Sequence, residues 1–261
     1  MKTAPKAAWL AAALALLARL PAAASHIPIP PQGVVETQGR LQVTADLGRL
    51  DPLLEVQGRL EDPSHELGFR AVTLGGYYRL HRNLKMGAFY RLQWGARHDD
   101  DWISSAPTWW EWQETGDRLE QVLVVDVSPR FLLPFLPGRD GVFQLKSRYA
   151  LNTWNLQQSL QLRPELTYFL LVDRRPVLNL SLAYGLYFPL NFGGSPLYEH
   201  APYVALLYHV SPAVQLELSG SYRTVFWSMP QAVIDAGEPP YPPVEFRAWV
   251  VGLGVLLRVG R

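Results

Sequence analysis

The sequence predicts an all-β fold, an antiparallel transmembrane β-barrel of 10–12 strands, from three observations. Apolar and polar residues alternate with a period of two along most of the chain after residue 33. The apolar sets are too large to fill the inside of one small barrel, whose interior at about eight strands is only just wide enough for side chains. Short turns also alternate with long loops.

The first 24 residues, MKTAPKAAWLAAALALLARLPAAA, place Lys2 and Lys6 before an apolar run from Ala7 to Leu20, followed by Ala22 and Ala24. That order reads as a secretory signal peptide, with cleavage expected after Ala24. A short membrane anchor fits less well, because Arg19 interrupts a run already below the ~20 residues of a spanning helix. Residues 25–33, SHIPIPPQG, form an extended lead, and 34–261 read as a single barrel domain without a linker.

Within that domain, the segment 84–95 sets Leu84, Met86, Ala88, Tyr90, Leu92 and Trp94 on one face and Lys85, Gly87, Phe89, Arg91, Gln93 and Gly95 on the other. Residues 34–47 oppose Leu41, Val43, Ala45 and Leu47 to Arg40, Gln42, Thr44 and Asp46. In 159–170 the apolar set is Leu160, Leu162, Leu166, Tyr168 and Leu170, and in 177–188 it is Leu178, Leu180, Leu182, Tyr184, Leu186 and Phe188. Further strands are expected at 53–61, 66–80, 118–132, 141–152, 199–210, 213–227 and 244–259. These make eleven segments, and the even strand number of single-chain bacterial barrels predicts ten or twelve, with one segment around 34–61 split or missed. Pro164, on an apolar face, is expected to mark a bulge or a strand start. Tight turns are expected at 81–83, 138–141, 173–176 and 211–212, and long loops at 98–117, 190–199 and 229–243.

A soluble barrel would turn its apolar face inwards. Around ten strands with about five large apolar side chains each fit more naturally outside, against lipid. Tyr90 and Trp94, or Tyr184 and Phe188, then lie where interfacial aromatic girdles belong.

Composition narrows the function. Lys+Arg number 24 against Asp+Glu 23, so no global basic field points to nucleic acid as a partner. The absence of cysteine removes disulfides, thiolate metal sites, a cysteine nucleophile and a lipid-modified cysteine. No cofactor is expected. The lumen candidates are Lys85, Arg91, Lys146, Arg148, Arg163 and Arg223, against Asp126, Glu165 and Glu217. Such a basic excess favours anions in a narrow pore, whereas full pairing with the carboxylates would close it as a plug.

His98, Asp99, Asp100 and Asp101 follow the segment 84–95 directly, and Glu199 and His200 begin another strand. Three readings compete for them. They are solvated loop charges, holding lipopolysaccharide through divalent cations; or Asp99, Asp100 and Asp101 form a hard-cation site; or His98, Asp99, Asp101 and His200 converge as catalytic groups that activate water. Trp109, Trp110 and Trp112 are candidates for stacking on a ligand's sugar rings, for anchoring at a bilayer interface, or for folding onto the rim.

By leader, alternation and loop asymmetry, the chain resembles the small outer-membrane β-barrels of Gram-negative-type bacteria, the porin-like class among them. The likeness is architectural and spans nearly all of 34–261. It implies a bacterial outer-membrane location, lipid and lipopolysaccharide around the wall, the barrel-assembly machinery as a partner, and a small, anionic solute or a structural envelope role. Porins for acidic sugar oligomers are similar in size and carry basic lumen walls. Many members end on an aromatic residue that the assembly machinery recognises, whereas this sequence ends LLRVGR. The alternatives are an outer-membrane rim hydrolase resembling the omptin proteases or a lipid-modifying enzyme, and a soluble periplasmic lipid-binding barrel.

Overall fold

The structure is a computed structural model. It describes residues 33–61, 66–95, 102–105, 109–112, 119–133, 141–154, 156–192, 195–227 and 244–260. The expected leader (1–24), most of the lead and the cluster His98–Asp101 lie outside the described residues.

Eleven strands close into one barrel: β1 (Val34–Ala45), β2 (Leu50–Glu61), β3 (Glu66–His81), β4 (Leu84–Trp94), β7 (Glu120–Leu133), β8 (Gly141–Asn152), β9 (Gln158–Val172), β10 (Arg175–Pro189), β11 (Glu199–His209), β12 (Val214–Trp227) and β13 (Val244–Val259). Two short strands, β5 (Trp102–Ser105) and β6 (Trp109–Trp112), pair as a separate hairpin inside what the sequence reads as a plain long loop. Each of the eleven expected segments is a barrel strand, within a few residues at its ends.

The even count fails for a geometric reason. Every neighbouring pair from β1 round to β13 is antiparallel, so in a ring of eleven the first and last strands run the same way. Closure must then be parallel, and β1 pairs with β13 from Val34↔Ala248 to Ala45↔Val259 over the full length of β1. The even-number rule presumes an antiparallel seam; this barrel is antiparallel everywhere except there. Pro164 also corrects expectation. β9 passes through it without a register shift, opposite Leu145 of β8, so it marks neither a bulge nor a strand start.

The links β1–β2, β3–β4, β9–β10 and β11–β12 are short and share one end of the barrel, here the turn end. At β9–β10 the two linking residues, Asp173 and Arg174, both have positive φ, as a two-residue hairpin turn with the twist of its strands requires. Between β1 and β2, Gly48 takes φ +83° and its N–H donates to Asp46 Oδ1 at 3.0 Å. The opposite, loop end carries the three longest connections, β4–β7, β10–β11 and β12–β13. The parallel seam puts the start of β1 at the loop end and the end of β13 at the turn end.

The apolar faces point outward. Leu74 and Leu253 are each 60% exposed, and Leu123, Val125, Leu182, Leu218 and Val251 are also exposed on the wall. Outward aromatics gather towards both ends: Tyr78, Phe131 and Tyr208 near the turns, Tyr184, Tyr222 and Trp249 near the loops. The interior is mixed. Val34, Tyr198, Val225, Phe246 and Ala248 pack together at the loop end, and Leu53, Phe89, Val122 and Val124 line one inner wall. Between these patches lie the charges.

Candidate functional site: the barrel lumen

Alternation on the inward phase decides which side chains reach the lumen. β4 contributes Lys85, Phe89, Arg91 and Gln93, β8 contributes Gln144, Lys146 and Arg148, and β9 contributes Gln161, Arg163 and Glu165. These side chains bound a file of cavities. The middle chamber has a volume of about 560 Å³, and a loop-end chamber of about 350 Å³ adjoins it. The two chambers share Gln57, Arg91 and Gln161, which mark the junction between them. A pocket of about 140 Å³ and a mouth cavity of about 450 Å³ continue the file towards the turn end, meeting the middle chamber at Lys85.

The structure places the lumen candidates Lys85, Arg91, Lys146, Arg148, Arg163, Glu165 and Glu217 on the middle chamber, and Arg223 on the loop-end chamber. It also brings in cations that the sequence reading left out, Arg40, Arg59, Arg130 and Arg258. Their signal was present, since each falls on the inward phase of its strand, but each sits near a strand end or in a segment read as broken.

Most of these charges are paired. Arg148 grips Asp126 with Nε at 2.8 Å and Nη2 at 2.9 Å, and the Tyr77 hydroxyl donates to the same carboxylate at 3.0 Å. Lys146 Nζ donates to Glu165 at 2.7 Å, and Arg163 reaches that same carboxylate at 3.3 Å while lying 4.0 Å over the Tyr203 ring. Arg40 pairs with Glu217 and approaches Glu55 at 3.8 Å. Glu36, 1% exposed, lies between Arg59 at 3.5 Å and Arg223 at 3.7 Å.

Two of these links skip a strand over a glycine. Arg40 of β1 and Glu217 of β12 both stand in register with Gly254 of β13, so their ion pair crosses the seam where no side chain intervenes. Tyr77 of β3 and Asp126 of β7 both stand opposite Gly87 of β4 and meet in the same way. Phe89 lies beside this gap: a Cβ on Gly87 would fall 2.6 Å from its ring and 2.8 Å from that of Tyr77. Here only glycine permits the close approach.

Pairing does not cancel the charge. Seven basic and four acidic side chains line the middle chamber, an excess of three positive charges. Arg91 is the sharpest case. Its Nε donates to Thr73 Oγ1 at 3.1 Å, and among the described residues no carboxylate lies in ion-pair reach of it.

Outside the lumen, the candidates are scattered. His200 accepts or donates at Nδ1 with the Tyr184 hydroxyl at 3.0 Å, stacks on the Tyr184 ring and lies tilted against that of Phe226, on the outer phase of β11. Glu199, one residue away, turns inward onto the loop-end chamber, 3.9 Å from Arg223. His98, Asp99, Asp100 and Asp101 lie outside the described residues, and among the described residues no cluster of His and acidic side chains could hold a metal ion. Trp109, Trp110 and Trp112 form β6, the backbone of the loop hairpin.

Neither a scan against protein-family models nor a search of curated proteins finds a match to this chain.

Proposed function

We propose that the chain is a bacterial outer-membrane β-barrel that crosses the bilayer and conducts small anions through its lumen. The observation that carries this reading is the pairing of an apolar outer wall with a middle chamber in which cations outnumber carboxylates seven to four. A wall of exposed leucines and valines between two aromatic zones suits hydrocarbon between two interfaces. Barrel strands of 11–16 residues are long enough for a tilted crossing of a ~30 Å core. Inside, unbalanced guanidinium and ammonium groups lower the energy of an anion and raise that of a cation. The skip-strand contacts, Arg40 to Glu217 and Tyr77 to Asp126, reach across the inner wall, so low conductance is expected. Lipid, lipopolysaccharide and the barrel-assembly machinery are the partners this placement implies.

Detergent extraction and migration on an unheated gel test the membrane part, because a soluble periplasmic lipid-binding barrel would need no detergent. Planar-bilayer recording of the purified mature chain tests the channel part. Discrete steps favouring anions are expected, with the preference reduced in R91Q and R163Q. Electrical silence from protein shown to be folded and inserted would overturn conduction and leave a plugged envelope barrel.

A further inference from the structure

We infer that the turn-end mouth of the barrel is a binding site for a phosphate group, formed by Arg82, Arg130 and Arg258. The cavity there, about 450 Å³, is bounded by the β3–β4 turn and by inward residues of β4, β7 and β13. Five basic side chains line it, Arg79, Arg82, Lys85, Arg130 and Arg258, together with His81, against Asp46 and Asp51.

The two carboxylates are committed elsewhere in the wall. Asp51 receives Arg79 through both oxygens, at 2.6 and 3.1 Å, and also faces Lys85 at 3.5 Å. Asp46 caps Gly48 and lies 3.5 Å from Arg79. His81 accepts the Asn83 N–H at 3.3 Å. That leaves Arg82, Arg130 and Arg258, none of which has a carboxylate partner among the described residues. They arrive from a turn and two strands well separated in sequence, yet bound one cavity.

Three guanidinium forks suit a group with three terminal oxygens and close to two negative charges better than a single carboxylate, which offers two oxygens. Phosphate chemistry fits: inorganic phosphate, a phosphate monoester, or a lipid phosphate. Arg130 and Arg258 are in phase with the lumen-lining Asp126 and Leu256, so they point into the bore rather than towards the outer wall, which favours a dissolved phosphate. The volume exceeds by an order of magnitude the ~30 Å³ share of one water, leaving room for the organic part of a monoester. Binding stands on the geometry of the mouth alone. Passage of the bound solute onward rests on the channel reading above.

The test is titration calorimetry of the full mature chain, folded in a zwitterionic detergent, with inorganic phosphate and, separately, with a short-chain phosphatidate. Saturable phosphate binding weakened at least tenfold in R82Q/R130Q/R258Q, with the variant's unheated gel migration unchanged, supports the site and a dissolved source. Binding of the phosphatidate alone, lost in the same variant, supports the site with a lipid headgroup as its source. Should the triple variant not fold, R130Q and R258Q singly are each expected to weaken binding severalfold. Absence of binding by wild type to either probe, or binding untouched by the substitutions, overturns the inference. Phosphate binding by a barrel that is silent in bilayers would keep the site and remove the channel. Conduction without phosphate binding would do the reverse.

Discussion

The seam and the wall around β4 solve one problem with different chemistry. At the seam, parallel β1 and β13 are clamped from inside by Arg40 reaching over Gly254 to Glu217. Around β4, in antiparallel sheet, Tyr77 reaches over Gly87 to Asp126, which Arg148 already holds with two hydrogen bonds. A full charge pair stands where the ladder is slightly weaker per residue, and a neutral phenol suffices where it is antiparallel. A glycine on the lumen face thus lets neighbours on either side knit three strands together.

The strongest way to break the comparison is to fill the glycines. Gly87→Val would drive a branched side chain into the rings of Phe89 and Tyr77, separating Tyr77 from Asp126. A loss of about 3 kcal/mol is expected from overpacking and the broken hydrogen bond together. Gly254→Val should cost about half as much, since its nearest neighbour, Glu217 Cβ, stands at 3.1 Å, a milder crowding than the ring atoms within 2.8 Å of a Cβ at Gly87. Urea unfolding in detergent checks both, and a larger loss for Gly254→Val would mean that the seam is the tighter region.

Removing the clamps one at a time comes next. Arg40→Ala leaves Glu217 and Glu55 without their shared cation, and about 2 kcal/mol is expected after allowing for the partial exposure of the pair. Tyr77→Phe should cost about 1 kcal/mol, because Asp126 keeps both bonds from Arg148. If the two variants unfold at the same urea concentration, the parallel seam is held by its backbone ladder and not by the charge pair.

The strands and their faces were legible because a period of two survives any register: each of the eleven segments could be read, and the outward set is the apolar one. The closure was not legible. A rule about even numbers stands on antiparallel seams, and nothing in the residues 34–45 or 244–259 announces a parallel partner. The lumen charges were recognisable one strand at a time, so Arg91, Lys146 and Arg163 were found. Their partners across skipped strands were hidden, because register and the glycines at 87 and 254 decide who meets whom.

Arg91 sharpens the comparison from the other side, as a lumen cation that clamps nothing. Its one hydrogen bond among the described residues goes to Thr73, its register neighbour on β3, and that link is replaceable by a glutamine amide. Arg91→Gln should therefore change stability by less than about 0.5 kcal/mol, the smallest effect of the five. The same substitution removes a positive charge at the junction shared by the two large chambers, on the path of a permeating ion. The anion-to-cation preference in bilayers should fall while the urea midpoint stays put. Arg40→Ala should do the opposite, losing stability at the seam while the junction of the chambers keeps its charge. A variant of Arg91 that unfolds early with unchanged selectivity would make it a structural group, and the basic lumen would then owe its sign to its other excess cations.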